Sequence, residues 1–373
     1  MKFTCTKENL AHALTVVSGI AGKQVNLPIL TNILIKAHEA HIEVISTNLE
    51  IAVQTTLRGK IEQTGSFTVP AKTLTDYVNL LGSEQVDVTL KGNELLVKSG
   101  SSSTKIKGIP ADEYPVIPAI QEAQTFTLSA APFRDALSSV VFAAAKNEIR
   151  PELSGVYMGF KTERYSGLIL AATDSYRLAE KKVSLAGGVD TVTCIIPAKT
   201  VYEMARLISS QKGMEGDMTV ELHISDNQIA MLFQGIQMTS RIIDGTYPDY
   251  VQIIPESFKT TATFPVDIVK KKIKAASLFT TMGVNAVSFD LNVENSSIGV
   301  SSTSTQTGEH ASEVDVEITG EENSILLNHR YVLDGLSQFE EKGDFLLNSS
   351  DAPCMLRPHN REDYLYIVMP IRQ

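Results

Sequence analysis

Catalysis and metal binding need particular side chains grouped at particular spacings, and histidines are the first place to look for them. The seven histidines, His12, His38, His41, His223, His310, His329 and His359, are read as not clustering with acids at ligand spacing, so no metal site is expected. Cys5, Cys194 and Cys354 lie far apart, with no C-x-x-C and no histidine pair nearby. Neither a zinc site nor a disulfide framework is indicated, and the three thiols read as small buried hydrophobes. The chain has no G-x-x-x-x-G-K-[ST], no G-x-G-x-x-G after a strand, no G-x-S-x-G and no H-E-x-x-H. Asp174 in ATDSYRLAE is a lone acid, and an aspartate in a strand-end turn usually caps backbone N–H groups. Without a complete constellation, the expectation is a non-enzyme with no catalytic residue, no metal and no cofactor.

The remaining candidates are cationic. The formal charge is −10, from 33 Lys and Arg against 43 Asp and Glu, which argues against a wide basic surface and leaves room for local basic faces. Helix-patterned stretches carry Lys7, Lys72, Arg134, Lys146, Lys199, Arg206 and the cluster Lys270, Lys271, Lys272 and Lys274. Singly, such side chains make an ordinary solvated face. Gathered on one wall they attract phosphate without reading bases, with modest and salt-sensitive affinity.

The elements that carry these residues repeat. Leu74, Tyr77, Val78 and Leu81 in VPAKTLTDYVNLL have the spacing of one helical face. The same set returns 127 residues later as Val201, Met204, Ala205 and Ile208, and after a further 131 as Val332, Gly335, Leu336 and Phe339. A second helix per unit is expected from Leu10, Ala13, Leu14 and Val17, from Phe133, Ala136, Leu137, Val140, Val141 and Ala144, and from Ile268, Val269, Ile273 and Ala276. Alternating or β-branched runs such as HIEVIST and MTVELHISDNQIAMLF lie between them and read as strands. The stretch GIPADEYPVIP returns as IIDGTYPDYVQIIP, and its Tyr-Pro step shifts by 133 residues, about one domain. It follows the last hairpin of its unit and leads into the next.

With 373 residues, 43% hydrophobic and 20% charged, the chain is long enough for three cores. An α+β fold is expected, with domains at 1–122, 123–254 and 255–373, antiparallel sheets and two helices per domain. No apolar run approaches 18 residues and MKFTCTKENL lacks a signal-peptide core, so a cytoplasmic location is expected.

SGIAGKQVNLPIL, FTVPAKTL, LSGVYMGF, ATDSYRLAE, DGTYPDY, NHRYVLDGL and YIVMPIRQ, in this order and threefold context, resemble the bacterial DNA polymerase III beta subunits, the sliding clamps. The likeness runs over the whole chain. It implies the DNA clamp fold, with sheets outside and helices on the inner face, and a head-to-tail homodimer closed as a six-domain ring around duplex DNA. It also implies partners: the polymerase III catalytic subunit, the clamp loader, and other polymerases and repair proteins that bind through short peptides. Domain size agrees with two copies. A third of the chain forms a ball roughly 35 Å across, so three leave a hole of about 5 Å and six leave about 35 Å. A duplex is roughly 20 Å wide.

Carried over residue by residue, the resemblance implies a peptide groove. It is built from Leu153, Thr173, Ser175, Tyr176, Arg177 and Leu178, from Pro248, Gln252 and Ile253, and from Asn328, Tyr331, Cys354 and Met355. The tail Val368, Met369, Pro370, Ile371 and Arg372 completes it, an apolar run that also reads as a docked strand. DNA-facing positions are Gln24, Lys72, Arg134, Lys146, Arg150, Lys199, Arg206, Lys271, Lys272 and Lys274. The dimer interface is expected at Thr104, Lys105, Ile106 and Lys107 on one side and Ser277, Leu278, Glu309 and Glu313 on the other. A repeat-built structural or interaction protein that does not encircle DNA is the alternative. It would not require lysine-bearing helices in every unit.

Overall fold

The computed structural model describes residues 1–22, 27–117, 120, 123–147, 149–211, 218–281 and 283–372. Six helices lie among them: α1 (Lys7–Ser18), α2 (Ala71–Leu80), α3 (Ala130–Val141), α4 (Ala198–Ser209), α5 (Val266–Ser277) and α6 (His329–Leu336). Each begins directly where a strand ends. Thr6 and Asn328 cap α1 and α6 by accepting the Asn9 and Arg330 N–H groups with their side chains, the role small polar residues fill at helix entries. Prolines precede α2, α4 and α5, where no donor is needed.

The helical faces read from the sequence are buried, with two corrections: Tyr77 in α2 is only half-buried, and the face of α5 begins elsewhere. In α5 the buried set is Val266, Val269, Ile273 and Ala276, and Ile268 is 47% exposed. Both 266 and 268 are β-branched, and only 266 keeps the 3-4-3 spacing that one face of a helix requires.

All sheets are antiparallel, and the chain forms two compact units that do not follow the three sequence repeats. The first unit contains Met1–Arg134, Leu185–Asp190 and Tyr202–Ile242; the second contains Asp135–Ser184, Thr191–Val201 and Ile243–Gln373. The first unit holds a five-stranded sheet, in the order Lys60–Gln63, Lys2–Thr6, Gln85–Lys91, Glu94–Ser99 and Ser102–Lys107. Its eight-stranded sheet joins two repeats where Ile51–Leu57 pairs with Ile236–Arg241. The second unit holds a four-stranded sheet, Gly308–Asp315, Ser297–Ser304, Ala286–Asn292 and Asn323–Asn328. Its nine-stranded sheet joins two repeats where Arg177–Val183 pairs with Tyr364–Val368. Strands that would be open edges in an isolated repeat therefore find partners.

The repeated Tyr-Pro step has the same task in each unit. In the first, the Tyr114 hydroxyl accepts the Thr47 N–H at 3.1 Å, and Tyr114 packs with Leu30, Leu34 and Ile45. In the second, the Tyr247 hydroxyl accepts the Thr173 N–H at 3.1 Å, within a cluster of Ala171, Leu178, Ile195, Tyr250 and Ile367. Desolvation raises the pKa of both tyrosines, that of Tyr114 to about 12, so both hydroxyls stay protonated.

The threonine served by each tyrosine opens a matching turn. Thr47 Oγ1 donates to the Ile51 carbonyl at 2.9 Å and accepts the Leu49 N–H at 3.0 Å. Thr173 Oγ1 donates to the Arg177 carbonyl at 2.6 Å and accepts the Ser175 N–H at 3.1 Å. Leu49 and Ser175 sit at φ of 76° and 77°, a left-handed conformation that costs a side-chain-bearing residue roughly 1–2 kcal/mol.

Tyr247→Phe strands the buried Thr173 N–H. It is expected to cost about 1–3 kcal/mol, seen as a lower thermal midpoint, and Tyr114→Phe should act alike on the first unit.

Candidate functional site

The turn from Thr173 to Arg177 forms one wall of a cavity of about 650 Å³ in the second unit. Asp174 caps the turn, its Oδ1 accepting the Tyr176 and Arg177 N–H groups at 3.0 and 3.1 Å, the backbone role expected of a turn aspartate. Its second oxygen accepts from Arg177 Nε at 3.1 Å. Arg177 is buried, and its other nitrogens donate to Asp334 Oδ2 at 2.5 Å and to the Phe142 carbonyl at 2.9 Å. The guanidinium lies 4.7 Å from the centre of the Tyr331 ring. Burial opposes its charge, but Tyr366, Asp334 and Asp174 outweigh that and raise its pKa. A buried cation with each of its three nitrogens bonded is a fixed post, not a mobile ligand.

The rest of the cavity grows from that post. Tyr331 stacks on Tyr176 at 6.5 Å, and the Tyr366 hydroxyl donates to the Tyr331 carbonyl at 2.9 Å. Gly335 lets α6 lie flat on the Tyr366 ring, since a Cβ there would sit 2.2 Å from the ring edge. Tyr176 and Ile149 are 63% and 86% exposed, so the lining offers apolar surface to a ligand. Lys146 and Arg330 line it too, and neither makes an ion pair among the described residues. The two lining acids, Asp174 and Asp334, are paired with Arg177. The cavity thus combines apolar surface with uncompensated positive charge.

Of the residues expected in a groove, Leu153, Ser175, Tyr176, Arg177, Asn328 and Tyr331 line this cavity. Thr173 holds the turn, and Leu178 and Ile253 belong to the cluster around Tyr247. Gln252 donates to Asp249 at 2.8 Å, and Pro248 is half-buried. Cys354 pairs with Val368, and Met355 with Ile367. Burial pushes the Cys354 thiol up to about 12, so it is a packing group. Tyr364–Val368 is a docked strand, as one of the two readings of the tail has it. Beyond it the Met369 N–H donates to the Tyr176 carbonyl at 2.9 Å and the Ile371 N–H to the Leu326 carbonyl at 2.8 Å. Met369, Pro370 and Ile371 are half-buried and Arg372 is exposed. Lys146 and Arg150, assigned to DNA, line the same cavity. Sequence reasoning passed over Ile149, which lies in no motif, and Arg330 and Asp334, which lie within NHRYVLDGL, where only Asn328 and Tyr331 were assigned to the groove.

Among the other cations, Lys72, Lys199, Lys271 and Lys274 are exposed, and Arg134, Lys270 and Lys272 are half-buried. Arg206 donates to the Val16 and Thr15 carbonyls at 2.6 and 3.2 Å and pairs with Glu203. Those bonds close the C-terminal end of α1. Gln24 lies outside the described residues. Thr104, Lys105, Ile106 and Lys107 lie on Ser102–Lys107, an edge strand of the five-stranded sheet. Glu309 and Glu313 lie exposed on Gly308–Asp315, an edge strand of the four-stranded sheet, and Leu278, next to Ser277 at the end of α5, is 71% exposed.

The reading of the histidines needs correction. His38, His41 and Glu43 each place a ligand atom within 4.8 Å of the others, because a tight hairpin sets His38 opposite His41 and Glu43 follows His41 at the two-residue period of a strand.

Two-helix repeats, antiparallel sheets and a grooved second unit define a three-domain clamp fold. Comparison with known proteins agrees. Residues 1–118, 127–249 and 251–372 match the N-terminal, central and C-terminal domains of the DNA polymerase III beta subunit. The beta sliding clamps of Synechococcus elongatus and Bacillus subtilis are 29% and 28% identical, over 100% of this chain and 99% and 100% of theirs. The beta subunit structure from Thermotoga maritima superposes with a TM-score of 0.91 at 27% identity, covering 100% of this chain and 99% of that one. A Pseudomonas aeruginosa sliding clamp bound to griselimycin superposes at 0.93 with 25% identity, covering 100% of both chains. The chain belongs to the DNA polymerase III beta subunit family.

Asp363 anchors the strand that joins the two halves of the nine-stranded sheet, accepting from Lys181 and, at 3.0 and 2.8 Å, from Arg361. Burial would raise its pKa, but these cations more than offset this and hold it at about 2, below the ordinary 3.8. The stability it contributes is complete above the unfolded value and is lost as pH falls through about 2. Asp363→Asn should therefore melt a few degrees lower at neutral pH, and its midpoint should fall less than the wild type's as pH drops from about 4 to about 2.

Proposed function

We propose that two copies of this chain close head to tail into a ring around duplex DNA and hold the replicative polymerase to its template. The observation that carries this reading is a pair of open strand edges, Ser102–Lys107 in one unit and Gly308–Asp315 in the other. In a member of this family, joining one edge to the other on a second copy satisfies both ladders at once. Lys105 and Lys107 on one edge and Glu309 and Glu313 on the other add charge complementarity. Lys72, Lys199, Lys271 and Lys274, exposed on α2, α4 and α5, supply a positive inner wall that holds phosphates loosely enough to slide. The chain then works by topology and binding, as a cytoplasmic processivity factor, and a separate ATP-driven loader opens it. No helix among the described residues is long and apolar enough to cross a membrane.

The cavity beside Arg177 takes short peptides from the polymerase, the clamp loader and other polymerases and repair proteins. Its exposed Tyr176 and Ile149 suit an aliphatic or aromatic anchor, and Lys146 and Arg330 favour acidic flanks.

Loaded onto nicked circular DNA, the protein should remain bound through gel filtration and leave when the circle is cut once; retention on the linear form would refute encirclement. Deleting Met369 to Gln373 should weaken polymerase-peptide binding by about 2–4 kcal/mol, roughly 30-fold or more, while dimer mass is kept. Fluorescence polarisation reads the first and native mass the second. Normal affinity in a protein of lowered melting temperature would assign the tail a structural role only.

A further inference from the structure

The hairpin of strands Asn32–Ala37 and Ile42–Thr47 brings three metal-competent side chains to one face. Its register pairs Ala37 with Ile42 and Lys36 with Glu43. The His38 N–H donates to the His41 carbonyl at 2.9 Å, so the two histidines oppose each other across the two-residue turn Glu39-Ala40. Glu43 follows His41 by two residues, the period at which strand side chains return to the same face. Ile42 and Val44 are fully buried on the other face, which leaves His41 and Glu43 toward solvent. The two imidazole rings stack at 4.6 Å with 21° between their planes. His38 Nε2 stands 3.4 Å from Glu43 Oε2, and one ligand atom from each residue lies within 4.8 Å of the others.

We propose that His38, His41 and Glu43 form a surface site for a divalent transition-metal ion such as Zn²⁺. Two imidazoles and one carboxylate suit Zn²⁺, Co²⁺, Ni²⁺ or Cu²⁺, whereas Ca²⁺ and Mg²⁺ select oxygen ligands. Bonds of about 2.0–2.2 Å place the ligand atoms of a tetrahedral centre about 3.3 Å apart. The donors must therefore draw together by an ångström or so. Both histidines are exposed, and the terminal torsions of imidazole and carboxylate groups are soft, so this closure is inexpensive. The backbone needs no adjustment, because both strands are interior to the eight-stranded sheet with a partner on each side. Three protein ligands leave a coordination position for water or for a donor on a bound macromolecule. Lys36 across from Glu43 works against a cation, Glu39 in the turn favours it, and Thr56, opposite Glu43 on the next strand, is neutral.

Titration calorimetry with Zn²⁺ and with Co²⁺, on the full chain without a histidine tag at neutral pH, tests the site. One ion should bind per chain, undisturbed by excess Mg²⁺, and the Co²⁺ complex should show visible d–d absorption. His38→Gln and His41→Gln should each weaken binding about tenfold or more, with the melting temperature of the metal-free protein unchanged because both side chains are exposed. Absence of saturable binding would overturn the proposal. So would wild-type affinity in the His38→Gln/His41→Gln double variant, or displacement of the ion by Mg²⁺.

Discussion

Backbone pairing between strands from different sequence repeats is the constraint on which each compact unit rests. Ile51–Leu57 bonds to Ile236–Arg241 in the first, and Arg177–Val183 bonds to Tyr364–Val368 in the second. A strand with one free side exposes a row of unsatisfied N–H and C=O groups. Once these two ladders form, each large sheet has its interior continuous, and the turns at Thr47 and Thr173 lie beside the junctions. The candidate groove depends on this arrangement. The Met369 N–H reaches the Tyr176 carbonyl because the preceding strand is already in register with Arg177.

Side chains then divide the twin turns into two kinds of surface. Both keep the threonine, the tyrosine hydroxyl and the left-handed third residue, since these are backbone requirements. Asn48 and Asp174 at the second position keep a common role too, each accepting two N–H groups at Oδ1, while the positions from the third onward differ in side chain. Leu49, Glu50 and Ile51 stand where the second turn has Ser175, Tyr176 and Arg177. Arg177 is the decisive difference, a buried cation that orders Asp174, Asp334, Phe142 and Tyr331 around itself. A buried charge held this way is costly to unpair, which keeps the wall of the cavity in one conformation.

Local patterns in the chain revealed most of the elements. Helical faces such as Leu74 and Val78, or Val332 and Leu336, follow from period alone, and the repeated Tyr-Pro step marked two equivalent junctions. Features that depend on register between distant strands were not legible. HEAHIE carried a short-range signal, an i, i+2 pair beside a two-residue turn, that went unread, but nothing near Arg177 in sequence announces Tyr364–Val368 as its neighbour. Arg206 read as a free cation for the same reason, because the Thr15 and Val16 carbonyls that it caps are nearly 200 residues away in the chain. Within α5, Val266 and Ile268 are chemically equivalent, and only the helix phase chose between them.

The sharing of the middle third between two units also dictates an order of assembly during synthesis. When residues up to Ile242 have emerged, every strand of the first unit's two sheets is present. At that moment Gly155–Thr162, Tyr165–Thr173, Arg177–Val183 and Val192–Pro197 can pair with one another, yet Arg177–Val183 still lacks Tyr364–Val368 on its outer side. More than 100 further residues must be made, at ~5–20 residues per second, before that edge is covered. The nascent chain therefore carries an unpaired, apolar-backed strand for several seconds at least, and it is this interval, not the finished molecule, that most exposes the protein to misassembly with a neighbour.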